Sequence, residues 1–290
     1  MKERKNVKLV TEEILDRFKQ YLREEERSRA TVEKYLRDVR KFGEYVQSTG
    51  ERGFDKELVL EYKQYLNERY KTTSVNSMLA AINSFFDYIG CLDCKVKLFK
   101  IQRVQFSDKK KELTEKDYAR LVHTAERQGD IRMSMLLQTI GSTGIRISEL
   151  RFITVEALET GRADIYNKGK SRIALLPAEL VAVLKRYCRK VGIKGGSIFI
   201  TRSGKLMDRS NISKRMKQLG RDAGVDTAKV FPHNFRHLFA RIFYSIEKDV
   251  VRLMDLLGHS NIATTRIYTM ATEEQPRKQM SRMKMVLGSF

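Results

Sequence analysis

Between Val10 and Ile89 apolar side chains return every three or four positions, the spacing of amphipathic helices. Val10 to Glu26 reads as a helix with Thr11 as N-cap, Glu12 and Glu13 in its first turn, and Ile14, Phe18, Tyr21 and Leu22 on one face. A second helix begins near Ser28 and carries Val32, Tyr35, Leu36, Val39, Phe42 and Val46. Gly50 and Gly53 end it, and Asp55 caps a third with Leu58, Val59, Tyr62, Tyr65 and Leu66. A fourth follows Thr73 and Ser74, with the strongest period in the chain: Val75, Met78, Leu79, Ile82, Phe85, Phe86 and Ile89, closed by Gly90. Four such helices make one small all-α domain.

The periodicity breaks over residues 95–111, which hold Lys95, Lys97, Lys100, Arg103, Lys109, Lys110 and Lys111 against Asp108 alone, the pattern of an extended basic linker. Thr114-x-x-Asp117 then starts a helix as a capping box, and a buried helix around Met133 to Ile140 follows. After Gly144 a tight turn projects Arg146 from a new helical start, with Glu149 one turn later to orient it. Short alternating segments from Ala163 to Tyr166 and from Arg172 to Leu176 predict a β-hairpin with Lys168 and Lys170 at its tip. Ile198 to Ile200 reads as a small strand, and Asp208 or Ser210 caps the helix of Ile212, Met216 and Leu219. Past Pro276, Met280, Met283, Leu287 and Phe290 form an apolar stripe, expected to dock as a tail helix on its own domain or on a neighbouring subunit.

Charge narrows the partners. The 290 residues carry 57 Lys and Arg against 36 Asp and Glu, a formal net charge of +21, which calls for a polyanion, nucleic acid before an anionic membrane. The first residues, Met1-Lys2-Glu3-Arg4-Lys5, lack the apolar core of a signal peptide, and no run of eighteen apolar residues occurs, so a soluble, cytoplasmic chain without membrane partners is expected. Three cysteines suit a reducing compartment, and Cys91-x-x-Cys94, lacking a second pair, reads as ordinary helix-end thiols.

Three of the four histidines fall between Pro232 and Tyr268. Pro232 can open a helix that sets His233 and Arg236 on one face; a second helix from about Asp249 ends at Gly258, from which His259 emerges; and a last short helix carries Tyr268. His233-x-x-x-His237 also has zinc-ligand spacing, but Asn234 stands where a catalytic Glu would, and Arg236 would repel the ion. The set suits transfer of a DNA phosphoryl group to a tyrosine. Arg146 and Arg236 match the two non-bridging oxygens of a five-coordinate phosphorus. His259 is expected to donate to the same oxygens, His233 to take or relay the phenolic proton, and Lys168 to protonate the leaving 5′ oxygen. No metal or other cofactor is needed, and no tight carboxylate cluster offers to hold one.

These residues resemble the tyrosine recombinases of the phage integrase family, close in layout to the short Xer-like members: Thr143-Gly-Ile-Arg146-Ile-Ser-Glu149-Leu150, Lys168 in the hairpin, His233-Asn-Phe-Arg236-His237, Leu257-Gly258-His259 and Thr264-Thr265-Arg266-Ile267-Tyr268. The resemblance implies a mainly α fold with a small β-hairpin: a helical, SAM-like core-binding domain at 8–94, a basic linker at 95–111, a mostly helical α+β catalytic domain at 112–276 and a tail helix at 277–290. It implies a site-specific recombinase that cuts and rejoins double-stranded DNA at specific core sites through a 3′-phosphotyrosyl intermediate and a Holliday junction. The work would be done by a homotetramer on two duplexes, with or without a second recombinase or accessory factor. Arg146, Lys168, His233, Arg236, His259 and the nucleophile Tyr268 are then the catalytic set, with Lys168 preferred to Lys170 as the acid. Lys109, Lys110, Lys111, Lys170 and Arg172 are the expected DNA contacts. A type IB topoisomerase-like enzyme and a non-catalytic DNA-binding regulator are the alternatives.

Overall fold

The computed structural model describes residues 9–51, 53–101, 111–167, 170–259 and 261–265. The chain divides into two units, 1–103 and 104–290, each with its own apolar core.

The first unit is built from α1 (Glu12–Glu24), α2 (Arg29–Ser48), α3 (Lys56–Arg69) and α4 (Thr72–Tyr88). Side-chain caps start three of them: Thr11 accepts from the Ile14 amide, Ser28 from Thr31 and Asp55 from Leu58, each replacing a bond the first turn lacks, a contribution of about 1 kcal/mol. The fourth starts earlier than Thr73 suggests. Only Tyr70 and Lys71, both extended, separate it from α3, and Lys71 takes the N-cap position without a side-chain bond. The apolar stripes meet in one core in which Phe18, Val39, Phe42, Val59, Val75, Leu79, Ile82, Phe85 and Phe86 have no exposed surface. Phe42 lies edge-on to Phe54 and Phe86.

Residues 95–101 are extended as expected, but their first half is not a free linker. The Asn83 carboxamide donates to the Val96 carbonyl at 2.8 Å and accepts its amide at 3.0 Å. Asn76 does the same for Phe99, at 2.9 and 2.8 Å. Two helix side chains thus supply the bonds a neighbouring strand would give. Lys95 and Lys97 lend their carbonyls to Lys56 and Lys63. Lys109 and Lys110 lie outside the described residues.

In the second unit, α5 (Glu115–Arg127) opens on the expected capping box of Thr114 and Asp117, and α6 (Ile131–Thr143) is capped by Asp130. A 3-10 turn (Ile147–Phe152) and α7 (Val155–Thr160) lead to the hairpin of β1 (Arg162–Asn167) and β2 (Lys170–Leu175). Asn167 pairs with Lys170, so only two residues, Lys168 and Gly169, span the tip, and both lie outside the described residues. Then come α8 (Ala178–Val191), α9 (Arg209–Asp222), capped by Asp208, α10 (Pro232–Glu247), α11 (Val250–Leu257) and α12 (Ile262–Thr265). Ile198 to Ile200 does not form a strand; isolated bridges join Thr154 to Ser197 and Ile200 to Leu206. No helix among the described residues is long and apolar enough to cross a membrane. The fold is mainly α with one two-stranded antiparallel sheet.

Candidate active site

The pocket is organised by the turn after α6. Gly144 is left-handed at φ 63°, and a Cβ there would stand 2.4 Å from Phe239 on α10 and 3.0 Å from Leu257 on α11. Only glycine allows both the turn and this approach. Its carbonyl accepts a bond from Arg236 at 2.6 Å, so the turn that presents Arg146 also anchors the second arginine.

Arg236, on α10, is 1% exposed. Its Nη2 donates to the Leu257 carbonyl at 2.6 Å and to Nε2 of His259 at 2.9 Å. Because a guanidinium has no acceptor, Nε2 must be the lone-pair nitrogen, which leaves Nδ1 as the N–H that donates to the Thr265 hydroxyl at 2.8 Å. His259 is therefore neutral in the DNA-free chain, with Nε2 accepting from Arg236. Burial, then the neighbouring Arg236 and Arg146 charges, push its pKa down to about 4.

Arg146 precedes the 3-10 turn, and its side chain is 38% exposed. The Arg146 backbone N–H donates to Glu149 Oε2 at 2.8 Å, Nη1 to Oε1 at 2.9 Å, and Nη2 reaches the Gly258 carbonyl at 3.4 Å. Glu149 is buried; burial alone would raise its pKa, but the Arg146 amide and then Arg172 outweigh that and hold it below the usual carboxylate range.

Arg172, expected on the DNA-facing surface, turns inward instead. Its side chain is 13% exposed, with Nη2 on Glu149 Oε2 at 2.5 Å and Nη1 on the Leu256 carbonyl at 2.9 Å. The strand alternation explains this: Ala163 and Ile165 on β1 face inward, and Ile165 and Ala163 pair directly with Arg172 and Ala174.

His233 keeps an exposed edge, and shielding of its ring, then Arg236 and Arg146, lower its pKa. One turn on, His237 packs edge-to-face against it at 4.5 Å, and burial pushes His237 down to about 4. Arg146, His233 and Arg236 line one depression of about 370 Å³ together with Arg209 and Ser213 from the start of α9. The sequence reading gave no site role to Arg209, Ser213 or Thr265: Arg209 and Ser213 lie one turn apart at the start of the 14-residue α9 and Thr265 ends α12, and spacing alone did not single them out. Lys111 is exposed and its carbonyl accepts from Asn234. The Lys170 side chain and Tyr268 lie outside the described residues, as does the tail stripe. Among the described residues no three His, Cys, Asp or Glu side chains converge to hold a metal.

These neutral imidazoles set an acid limit. Where the folded pKa lies near 4 and the unfolded one near 6.5, the unfolded chain binds more protons, so stability is full above about pH 6.5 and falls on acidification. The melting temperature should drop between about pH 7 and pH 5, before the carboxylates titrate, and His237→Phe should flatten that drop. A constant melting temperature over this window would mean that the rings are solvated.

A helical unit that brings a buried Arg236, a part-exposed Arg146 and a neutral His233 to one open pocket is suited to oxyanion chemistry. Residues 111–275 match the phage integrase family, and residues 15–89 match the phage integrase N-terminal SAM-like domain. The chain belongs to the phage integrase family, that of the tyrosine recombinases. It is 27% identical to tyrosine recombinase XerA of Pyrococcus horikoshii over 99% of this chain and 98% of that one. It is 30% identical to tyrosine recombinase XerD of Vibrio cholerae, over 73% and 76% respectively. The crystal structure of XerA recombinase is 25% identical with a TM-score of 0.52 over 96% of this chain and all of that one. The XerH site-specific recombinase bound to difH substrate shares the fold at a TM-score of 0.71 and 20% identity, covering 94% and 84%.

Proposed function

We propose that this chain is a site-specific DNA recombinase that breaks a strand by attack of Tyr268 on the scissile phosphorus, forming a 3′-phosphotyrosyl bond and releasing a 5′ hydroxyl. The observation that carries the reading is the convergence of Arg146, His233 and Arg236 on one pocket, with His259 bonded to Arg236, in a chain of net charge +21. Arg146, whose Nη2 is only loosely held, and Arg236 are assigned to the non-bridging oxygens. His233 is neutral at pH 7 and so able to accept the phenolic proton. His259 starts as the acceptor of Arg236; a phosphate anion beside it favours its protonation, after which Nε2 becomes a donor to the same oxygens. Lys168 is assigned as the acid for the leaving oxygen. Lys109, Lys110, Lys111 and Lys170 are assigned to flanking phosphates, with the units divided as core-binding 8–94, linker 95–111, catalytic 112–276 and tail 277–290.

Strand exchange needs four active sites on two duplexes, and we assign this chain to a homotetramer acting on paired core sites through a Holliday junction. The lambda integrase tetramer bound to a Holliday junction has the same fold, at a TM-score of 0.70 and 15% identity. The test is a nicked suicide duplex carrying DNA that flanks the gene, incubated with the full chain in excess EDTA. A covalent adduct that survives denaturant, followed by recombinant products on paired sites, is expected. Relaxed supercoils without recombinants would identify a topoisomerase-like enzyme, binding without an adduct would identify a regulator, and loss of cleavage restored by magnesium or zinc would overturn the metal-independent chemistry.

A further inference from the structure

Glu149 lies between two arginines, and its bonds are unequally shared. A carboxylate facing one guanidinium prefers a fork of two parallel N–H bonds. Here Oε1 takes Nη1 of Arg146, while Oε2 is occupied by the Arg146 backbone amide and by Nη2 of Arg172. The second amino arm of Arg146, a residue that lines the pocket, is left with only the 3.4 Å contact to the Gly258 carbonyl. Arg172 also reaches across to α11 through the Leu256 carbonyl, and its stem passes directly under Gly258, where a Cβ would come within 2.2 Å of its Cδ. One side chain therefore ties the hairpin, the Glu149 carboxylate and the end of α11 that presents His259.

We propose that Arg172 is a positioning residue rather than a DNA contact: by occupying Glu149 Oε2 and the Leu256 carbonyl, it prevents Glu149 from capturing both arms of Arg146 and keeps one arm for the scissile phosphate. Without it, the buried carboxylate regains its charge balance by drawing Arg146 into a fork, and the clamp on the phosphate closes to a single arginine. Glu149 is 2% exposed, so water cannot replace the missing guanidinium cheaply and Arg146 is the nearest cation. The inference rests on the assignment of Arg146 to the phosphate made above.

The test uses the full chain carrying Arg172→Met, which keeps most of the stem volume, and Arg172→Lys, which keeps the charge but cannot bridge two acceptors. Adduct formation on the suicide duplex is followed in single turnover at saturating DNA, and DNA affinity is measured against salt. Misplacing a reacting group by about 1 Å costs on the order of 10²-fold, so Arg172→Met should cleave about 10- to 100-fold more slowly, and Arg172→Lys less so, with affinity and salt slope unchanged. Adding Glu149→Gln to Arg172→Met should recover part of the rate, because a neutral amide no longer draws in Arg146; a purely structural role would make the double variant worse. Should Arg172→Met fail to fold, Arg172→Lys with and without Glu149→Gln reads the same difference. A salt slope reduced by about 0.9 would make Arg172 a phosphate contact and overturn the proposal, as would parental rates or no recovery in the double variant. No adduct with the unaltered chain would instead overturn the recombinase assignment on which this inference depends.

Discussion

Tyr268→Phe should give no covalent adduct on the suicide duplex while binding DNA as the parent does. The change removes one oxygen, almost no volume and no charge, whereas the bond to phosphorus would lose the atom proposed to make it. A phenol with a reference pKa of about 10 is a poor nucleophile at pH 7 unless its proton has somewhere to go, and the proposed mechanism assigns that role to His233, whose lowered pKa keeps it neutral beside Arg146 and Arg236. Gel shift measures the binding and denaturing electrophoresis the adduct. A surviving adduct would move the nucleophile to another residue.

Replacing the two arginines should separate chemistry from architecture. Arg146→Ala and Arg236→Ala each remove a donor assigned to the developing charge and should slow cleavage by about 10²- to 10³-fold at matched DNA occupancy. Their stabilities should differ. Arg146 is over one third exposed, and Glu149 keeps Arg172 when it is lost. Arg236 is buried and supports the carbonyls of Gly144 and Leu257, so its removal strands two buried acceptors at about 1–3 kcal/mol each. Thermal melts and single-turnover rates on both variants check this. Equal melting temperatures would mean that water replaces Arg236, and unaltered rates would remove the arginine from the chemistry.

Local chemistry made much of the fold legible. Thr11, Ser28, Asp55, Thr114 and Asp208 each cap the helix their position announces, because a cap depends on a few neighbouring amides and little else. Glu149 orienting Arg146 was legible for the same reason: both sit within one turn. The fate of Arg172 was harder, since its partners are 23 and 84 residues away. A signal was present nonetheless, because Arg172, Ala174 and Leu176 alternate onto one face and the other two are small or apolar. The extended segment at 95–101 read as a free linker because the asparagines that hold it, Asn76 and Asn83, lie on the polar side of another helix. The protonation of His259 could not be read from spacing, as it follows from the bond that Arg236 makes to it in space.

The position of Arg236 has a consequence for the order of events at the ribosome. Its guanidinium joins a carbonyl 92 residues upstream to one 21 residues downstream. A chain still emerging, with residue 257 not yet free of the exit tunnel, holds the turn at Gly144 and helix α10 but has no second anchor for the arginine and no His259. Synthesis proceeds at about 5–20 residues per second, so for the seconds in which most of the catalytic unit already exists, its basic surface can meet nucleic acid without a site able to cut it. Leu257 sets the arginine first, and the proposed site is complete only when His259 and Tyr268 have followed it.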